Sequence, residues 1–199
     1  MAGDSMRMYE TFYGIHTNDW SINFGTFSNH HKLLVKDYIS DGTDCEDMST
    51  ASDSPHSFLY PHHIKKTYFI EGVIEGHVTF GSSSATAYLC AYRVSVCKIN
   101  EDATDNELFT TGWVTVDKTL AWNATYSIGD EIVLPFWIDA WNKAELSEKD
   151  RIYVKVESTC STSVNCIDCE ESACTNVNLW HSNDSTWEDL KITIPFLGI

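Results

Sequence analysis

Apolar side chains recur at every second position along much of this chain, the period that turns them all to one side of a pleated strand. Between Glu131 and Asp139 they fall at Ile132, Leu134, Phe136 and Ile138, with Trp137 and Asp139 on the alternate side. Residues 151–157 repeat the pattern with Ile152, Val154 and Val156, and the polar connector Asn142–Asp150 between the two runs has room for a helical turn at most. In residues 66–80, Tyr68, Ile70, Ile74, Val78 and Phe80 alternate with Glu71, Glu75, His77 and Thr79, so the spacing predicts a long half-buried strand. Gly72 and Gly76 within it permit a bend or the close approach of another backbone. Gly81–Ser84 reads as a turn, and Tyr88, Cys90, Tyr92, Val94 and Val96 share one face of a returning strand, which together predict a central hairpin.

Strand candidates fall at 11–16, 20–27, 32–40, 66–80, 85–99, 109–117, 131–139, 151–158 and 188–197, whereas the 3.6-residue period of a helix is nearly absent. The expected fold is all-β: a two-sheet antiparallel sandwich of jelly-roll type, built as one domain over residues 1–199. Residues 41–56 are acidic, rich in Ser and poor in large apolar groups, and read as a long exposed loop. Residues 159–175 form a second, Cys-rich loop.

Composition narrows the function. The 199 residues include seven Trp, nine Tyr and nine Phe, too many for a disordered chain and enough to fill a core without staples. A net charge of −16, from 29 acidic and 13 basic residues, works against binding a phosphate backbone, so nucleic acid is not an expected partner. No run of about 18 apolar residues is present to span a membrane, and Met1–Glu10 carries no apolar signal segment. The expectation is a product made in a cytoplasm without a signal peptide, in which the sequons at Asn123 and Asn183 are chance matches.

Four of the seven cysteines, Cys160, Cys166, Cys169 and Cys174, lie in one C-x5-C-x2-C-x4-C segment. Four thiolates can close a tetrahedral zinc site, with the C-x2-C pair supplying two ligands from one turn. The same residues can form one or two disulfides or remain reduced, and the single C-x2-C pair with Asp168, Glu170 and Glu171 around it tilts the balance towards disulfides. Cys90 and Cys97 lie on a strand, where a small apolar role is expected, and Cys45 lies in the acidic loop. Histidines gather at His30, His31, His56, His62 and His63; adjacent histidines on a strand point to opposite faces, so His62 and His63 read as loop or edge residues rather than one metal site. There is no G-x-S-x-G, P-loop, G-x-G-x-x-G or H-E-x-x-H motif, and no carboxylate spacing that marks a hydrolytic pair, so the chain is expected not to be an enzyme. Trp137, Asp139 and Trp141 are the candidates for glycan binding, since indoles offer flat apolar faces and Asp139 a polar group between them.

The segment Leu120–Pro135, a polar approach to the turn at Gly129 and Asp130 followed by an alternating strand, resembles the late strands of jelly-roll modules in virion surface proteins and the C1q/TNF-like group, with the resemblance extending over residues 66–157. The Cys-rich loop departs from that pattern. The resemblance implies a sandwich that assembles into trimers or pentamers and serves, with other virion proteins, as a capsid decoration, turret, fibre or baseplate component. The expected function is thus a non-enzymatic outer virion or tail accessory protein located on the virion. A carbohydrate-binding module that recognises a receptor or glycan is the alternative.

The Cys-rich segment closes only short loops, so any cross-link there is expected to order the loop locally, at about 2–3 kcal/mol per bridge. Replacing Cys160, Cys166, Cys169 and Cys174 together by Ser should raise protease sensitivity between Ser158 and Asn176 and leave the rest of the chain folded; global unfolding would contradict a local staple. Metal analysis and thiol counting on the unaltered chain separate the two chemistries, since zinc coordination gives about one ion per chain and disulfides give two or four additional thiols on reduction.

Overall fold

The computed structural model describes residues 6–16, 21–37, 55–82, 89, 91–116, 131–159, 177–179 and 190–198. Every regular element among them is a strand: β1 Arg7–His16, β2 Ile22–Phe24, β3 Phe27–His30, β4 Lys32–Val35, β5 His56–Leu59, β6 Tyr68–Ser82, β7 Ala91–Ile99, β8 Asp105–Thr110, β9 Val114–Thr115, β10 Glu131–Leu146, β11 Arg151–Thr159, β12 Val177–Leu179 and β13 Leu190–Gly198. The all-β expectation is met.

The expected pair of separate antiparallel sheets is not what forms. One hydrogen-bonded path runs β10-β6-β13-β1-β4-β5-β11-β7-β8, with β12 added to β6 and β9 to β7, and only β2 and β3 stand outside it. The physical reason is the pairing of β4 with β5 at Leu33 and Leu59, which is parallel and joins two antiparallel halves into one mixed sheet. Parallel neighbours need a long return connection, and residues 36–55, which include most of the acidic segment, supply it. The two ends of the path, β10 and β8, come into contact, so the sheet nearly closes into a barrel. Across this closure the Tyr92 hydroxyl on β7 donates to the carbonyl of Pro135 on β10 at 2.8 Å. Pro135 has no N–H to offer and sits on a strand paired on one side only, the position that tolerates proline in a sheet.

The expected central hairpin is also corrected. β6 pairs antiparallel with β10 on one edge and β13 on the other, while β7 pairs with β11, β8 and β9. Local turn chemistry at Gly81–Ser84 suits a hairpin, but strand pairing is decided by burial, and β6 buries more by lying between two apolar strands. The connector Asn142–Asp150 is largely strand as well, because β10 continues to Leu146 after a register break between Ala140 and Ala144. The apolar C-terminal strand finds its cover within the chain, between β6 and β1. Its pairing with β1 brings the first and last strands together.

The alternating positions fill the interior as expected. Ile70, Ile74 and Val78 of β6, Phe136 and Ile138 of β10, Ile192 and Ile194 of β13, Val94 and Val96 of β7, and Ile152, Val154 and Val156 of β11 belong to one buried core. A second, smaller core lies on the opposite face of β7 and β11, where Ile22, Phe24 and Phe27 of the β2–β3 hairpin cover Leu59, Cys97, Ile99 and Tyr153. Burial there pushes the Cys97 thiol up to about 12, which matches the small apolar role expected of it. The acidic loop from 41 to 54, the Cys-rich loop and its four cysteines, Cys45, Tyr88, Cys90 and most of Leu120–Pro135 lie outside the described residues.

Gly76 is the tightest point of the double pairing. A Cβ there would stand 2.1 Å from the Lys191 carbonyl oxygen and 2.7 Å from Cζ of Phe136. We expect Gly76→Ala to destabilise the fold by about 2–3 kcal/mol through overpacking, read in urea titration as a lower midpoint with an unchanged slope. An unchanged midpoint would show that β6 is not held between β10 and β13 as described.

Candidate functional site

The alternation that buries one face of β10, β6, β13 and β1 leaves the other in solvent, and the register places its side chains in rows. One row runs Trp137, Glu75, Thr193, Thr11, and a parallel row runs Pro135, His77, Lys191, Tyr13. Asp139 faces Val73 in the next row. Trp137 is 64% exposed and Trp141 58%. Tyr9 and Val73 are also exposed large apolar residues of these strands. Isolated apolar residues on a surface are ordinary, whereas several on one sheet face mark an interaction site.

Polar groups are interleaved with these rings. Arg7 lies over the Trp141 ring with its guanidinium carbon 5.6 Å from the ring centre, and reaches Glu71 at 3.9 Å. The ion pair is long and about one-third exposed, so it contributes little to stability, and its effect is to hold the guanidinium against the indole. Lys191 is similarly placed 5.6 Å from the Tyr13 ring centre, and the Thr11 and Thr193 hydroxyls share a 3.0 Å hydrogen bond. Among the described residues no hydrogen bond or ion pair engages the side chains of Asp139 or Glu75, which leaves two carboxylates beside Trp137 open to an incoming donor.

The structure therefore brings together the three glycan-binding candidates, Trp137, Asp139 and Trp141, on one exposed strand. It adds Tyr9, Glu71, Glu75, Val73 and Arg7 from other strands, which sequence reasoning missed because their proximity depends on the register of β6, β13 and β1. A partial signal was present: β1 reads Arg7, Tyr9, Thr11, Tyr13 on alternate positions, an aromatic and polar face.

The remaining candidates sit elsewhere. Among the described residues no three His, Cys, Asp or Glu side chains come within reach of a common ion. His30 bonds through Nε2 to the Ser57 carbonyl at 2.7 Å, and burial lowers its pKa despite that bond. The Lys32 ammonium donates to Nδ1 of His56 at 2.7 Å, and His62 and His63 lie exposed in the segment after β5. Trp113 is stacked under Arg93 near β9, with 5.1 Å between the guanidinium carbon and the ring centre. Trp20, Trp122, Trp180 and Trp187 lie outside the described residues.

No protein-family model and no curated protein sequence matches the chain. Among solved structures it is similar to an aminopeptidase from the marine sediment archaeon Thaumarchaeota archaeon, with a TM-score of 0.52 and 11% identity over 96% of this chain and 37% of that one. A CocE/NonD family hydrolase from Staphylococcus aureus aligns with a TM-score of 0.49 and 12% identity, again over 96% of this chain and 37% of that one. The infectious bursal disease virus VP2 subviral particle aligns with a TM-score of 0.32 and 11% identity, over 99% of this chain and 54% of that one. The chain thus spans 37% of the length of the two hydrolases.

The archaeal match corrects the expectation that the chain is not an enzyme. That expectation rests on missing catalytic motifs, yet the fold is shared with a segment of an aminopeptidase. Catalytic groups can sit on loops or on the rest of a longer chain, so motif absence in a scaffold excludes nothing. At 11% identity the likeness concerns architecture alone: this chain shares its fold with a segment of an aminopeptidase.

Proposed function

We propose that this chain is an all-β module of the virion surface, a capsid decoration or other outer or tail accessory protein. In this reading it is made in the host cytoplasm, self-associates as a trimer or pentamer, and docks to a lattice of other virion proteins. One observation carries the docking element: the outward face of β10, β6, β13 and β1 holds Trp137, Trp141 and Tyr9 in solvent with Arg7 against Trp141. Trp, Tyr and Arg are the residue types that dominate binding energy at protein interfaces, because each combines a large buried area with a polar edge. The reading concerns the surface of this module and applies equally where the module is one part of a longer catalytic chain, as the fold is in the archaeal aminopeptidase.

A second reading is favoured by Asp139. It lies between Trp137 and Trp141 on the same strand, so a carboxylate that accepts hydroxyl protons stands between two flat apolar faces. That is the chemistry of a glycan platform, and it would make the module a receptor- or carbohydrate-binding one.

Light scattering of the whole chain and co-sedimentation with particles test the first reading. Each of Trp137→Ala and Trp141→Ala should weaken self-association or docking by on the order of 2 kcal/mol, with the melting temperature unchanged because both side chains are exposed. Docking that survives the double variant would contradict the assignment of this face. A variant that keeps assembly and loses binding to a defined oligosaccharide, with Asp139→Asn showing the same loss, would instead establish the glycan reading.

A further inference from the structure

A cavity of about 370 Å³ lies away from the tryptophan face, where β1, β6, β11 and β13 meet the segment after β5. Its floor and walls are apolar and aromatic, with Phe12, Tyr60, Tyr68 and Phe196 among its lining. These rings brace one another edge to face: Phe12 against Tyr60 at 5.3 Å, Phe12 against Phe196 at 6.4 Å, and Tyr68 against Phe196 at 6.0 Å. Phe12 and Phe196 are buried in the main core, so the walls are in place before a ligand arrives, and little ordering entropy opposes binding.

The polar lining of this cavity is cationic, against the net charge of the chain. Lys36 and Lys65 stand there with His62 and His63, against a single carboxylate, Glu10. That carboxylate is already engaged: the Lys36 ammonium donates to Glu10 Oε2 at 2.7 Å while lying 5.9 Å from the Phe12 ring centre. Among the described residues no carboxylate pairs with Lys65. A molecule of net charge −16 therefore presents here a local surplus of cationic and N–H donor groups, above a preformed aromatic cavity of ordinary ligand size.

We propose that this cavity binds a small organic anion with a flat apolar body, such as an aryl or arylalkyl carboxylate, its ring among Phe12, Tyr60, Tyr68 and Phe196 and its carboxylate at Lys65 beside the Lys36–Glu10 pair. Aromatic walls also suit an organic cation, but the carboxylate that would hold one is neutralised by Lys36, and a second cation would meet Lys36 and Lys65 directly. This site is separate from the Trp137 face and does not rest on the reading of that face.

The test is a nuclear magnetic resonance titration of the whole chain with phenylacetate, and in parallel with phenylacetamide and phenethylammonium as neutral and cationic counterparts. Phenylacetate should produce saturable shifts confined to the residues around Phe12, Tyr60, Tyr68 and Phe196, and should bind about fivefold more tightly than the amide. Lys65→Met, an exposed substitution that leaves the fold intact, should remove most of that advantage while leaving amide binding unchanged. Absence of saturable shifts at millimolar phenylacetate would overturn the proposal. So would equal affinity for acid and amide, preference for the ammonium compound, or shifts centred on Trp137 and Trp141.

Discussion

The structure turns on the pairing of β6 along both of its edges. Held between β10 and β13, this strand can send side chains only inward and outward, and its composition divides accordingly into Ile70, Ile74 and Val78 on the inside and Glu71, Val73 and Glu75 on the outside. The neighbours inherit the same division through their register. Phe136 and Ile138 then pack inward with Ile192 and Ile194, and Trp137 and Asp139 are left facing out beside Glu75 and Val73. The pairing depends on Gly76, since any Cβ at that position would meet the Lys191 carbonyl and the Phe136 ring. Apolar burial and the exposed aromatic face are thus two sides of one constraint.

Closure follows from a different contact. Two antiparallel halves become one sheet because β4 and β5 pair in parallel, and the open ends are drawn together where Tyr92 reaches the Pro135 carbonyl. A buried hydroxyl of this kind contributes about 1 kcal/mol net when paired and costs more when left unmade. Small as that is, it falls where β10 has no strand partner on its second edge, and Pro135 leaves that edge without one of its donors. The edge is blunted against pairing with another sheet.

Strand identity was legible from the sequence wherever one face is buried and the other is wet. Residues 66–80, 131–139 and 151–158 alternate cleanly, and all three are strands. What alternation cannot convey is which strand lies next to which. The turn residues Gly81–Ser84 pointed to a hairpin, yet the partners of β6 come from about 60 and 115 residues further along the chain, chosen by burial. β5 was missed because His56 and Ser57 break the apolar run, and the end of β10 because Trp141, Asn142 and Lys143 are exposed and read as a loop. The parallel β4–β5 junction has no local signature. For the same reason Trp137, Asp139 and Trp141 could be found together, being neighbours on one strand, whereas Tyr9, Arg7 and Glu75 join them only through the register, and the cavity behind Phe12 only through four strands at once. Missing motifs do not imply missing catalysis, because one fold can serve with or without chemistry of its own.

The proposed docking surface is the outward face of β10, β6, β13 and β1. Hydroxyl-radical footprinting read by mass spectrometry, on the free chain and on the assembled or docked form, tests it residue by residue. Trp137, Trp141 and Tyr9 should lose reactivity together on assembly, while Trp113, 41% exposed beside Arg93, should keep it. Unchanged reactivity at Trp137 and Trp141, with protection elsewhere on the chain, would contradict it.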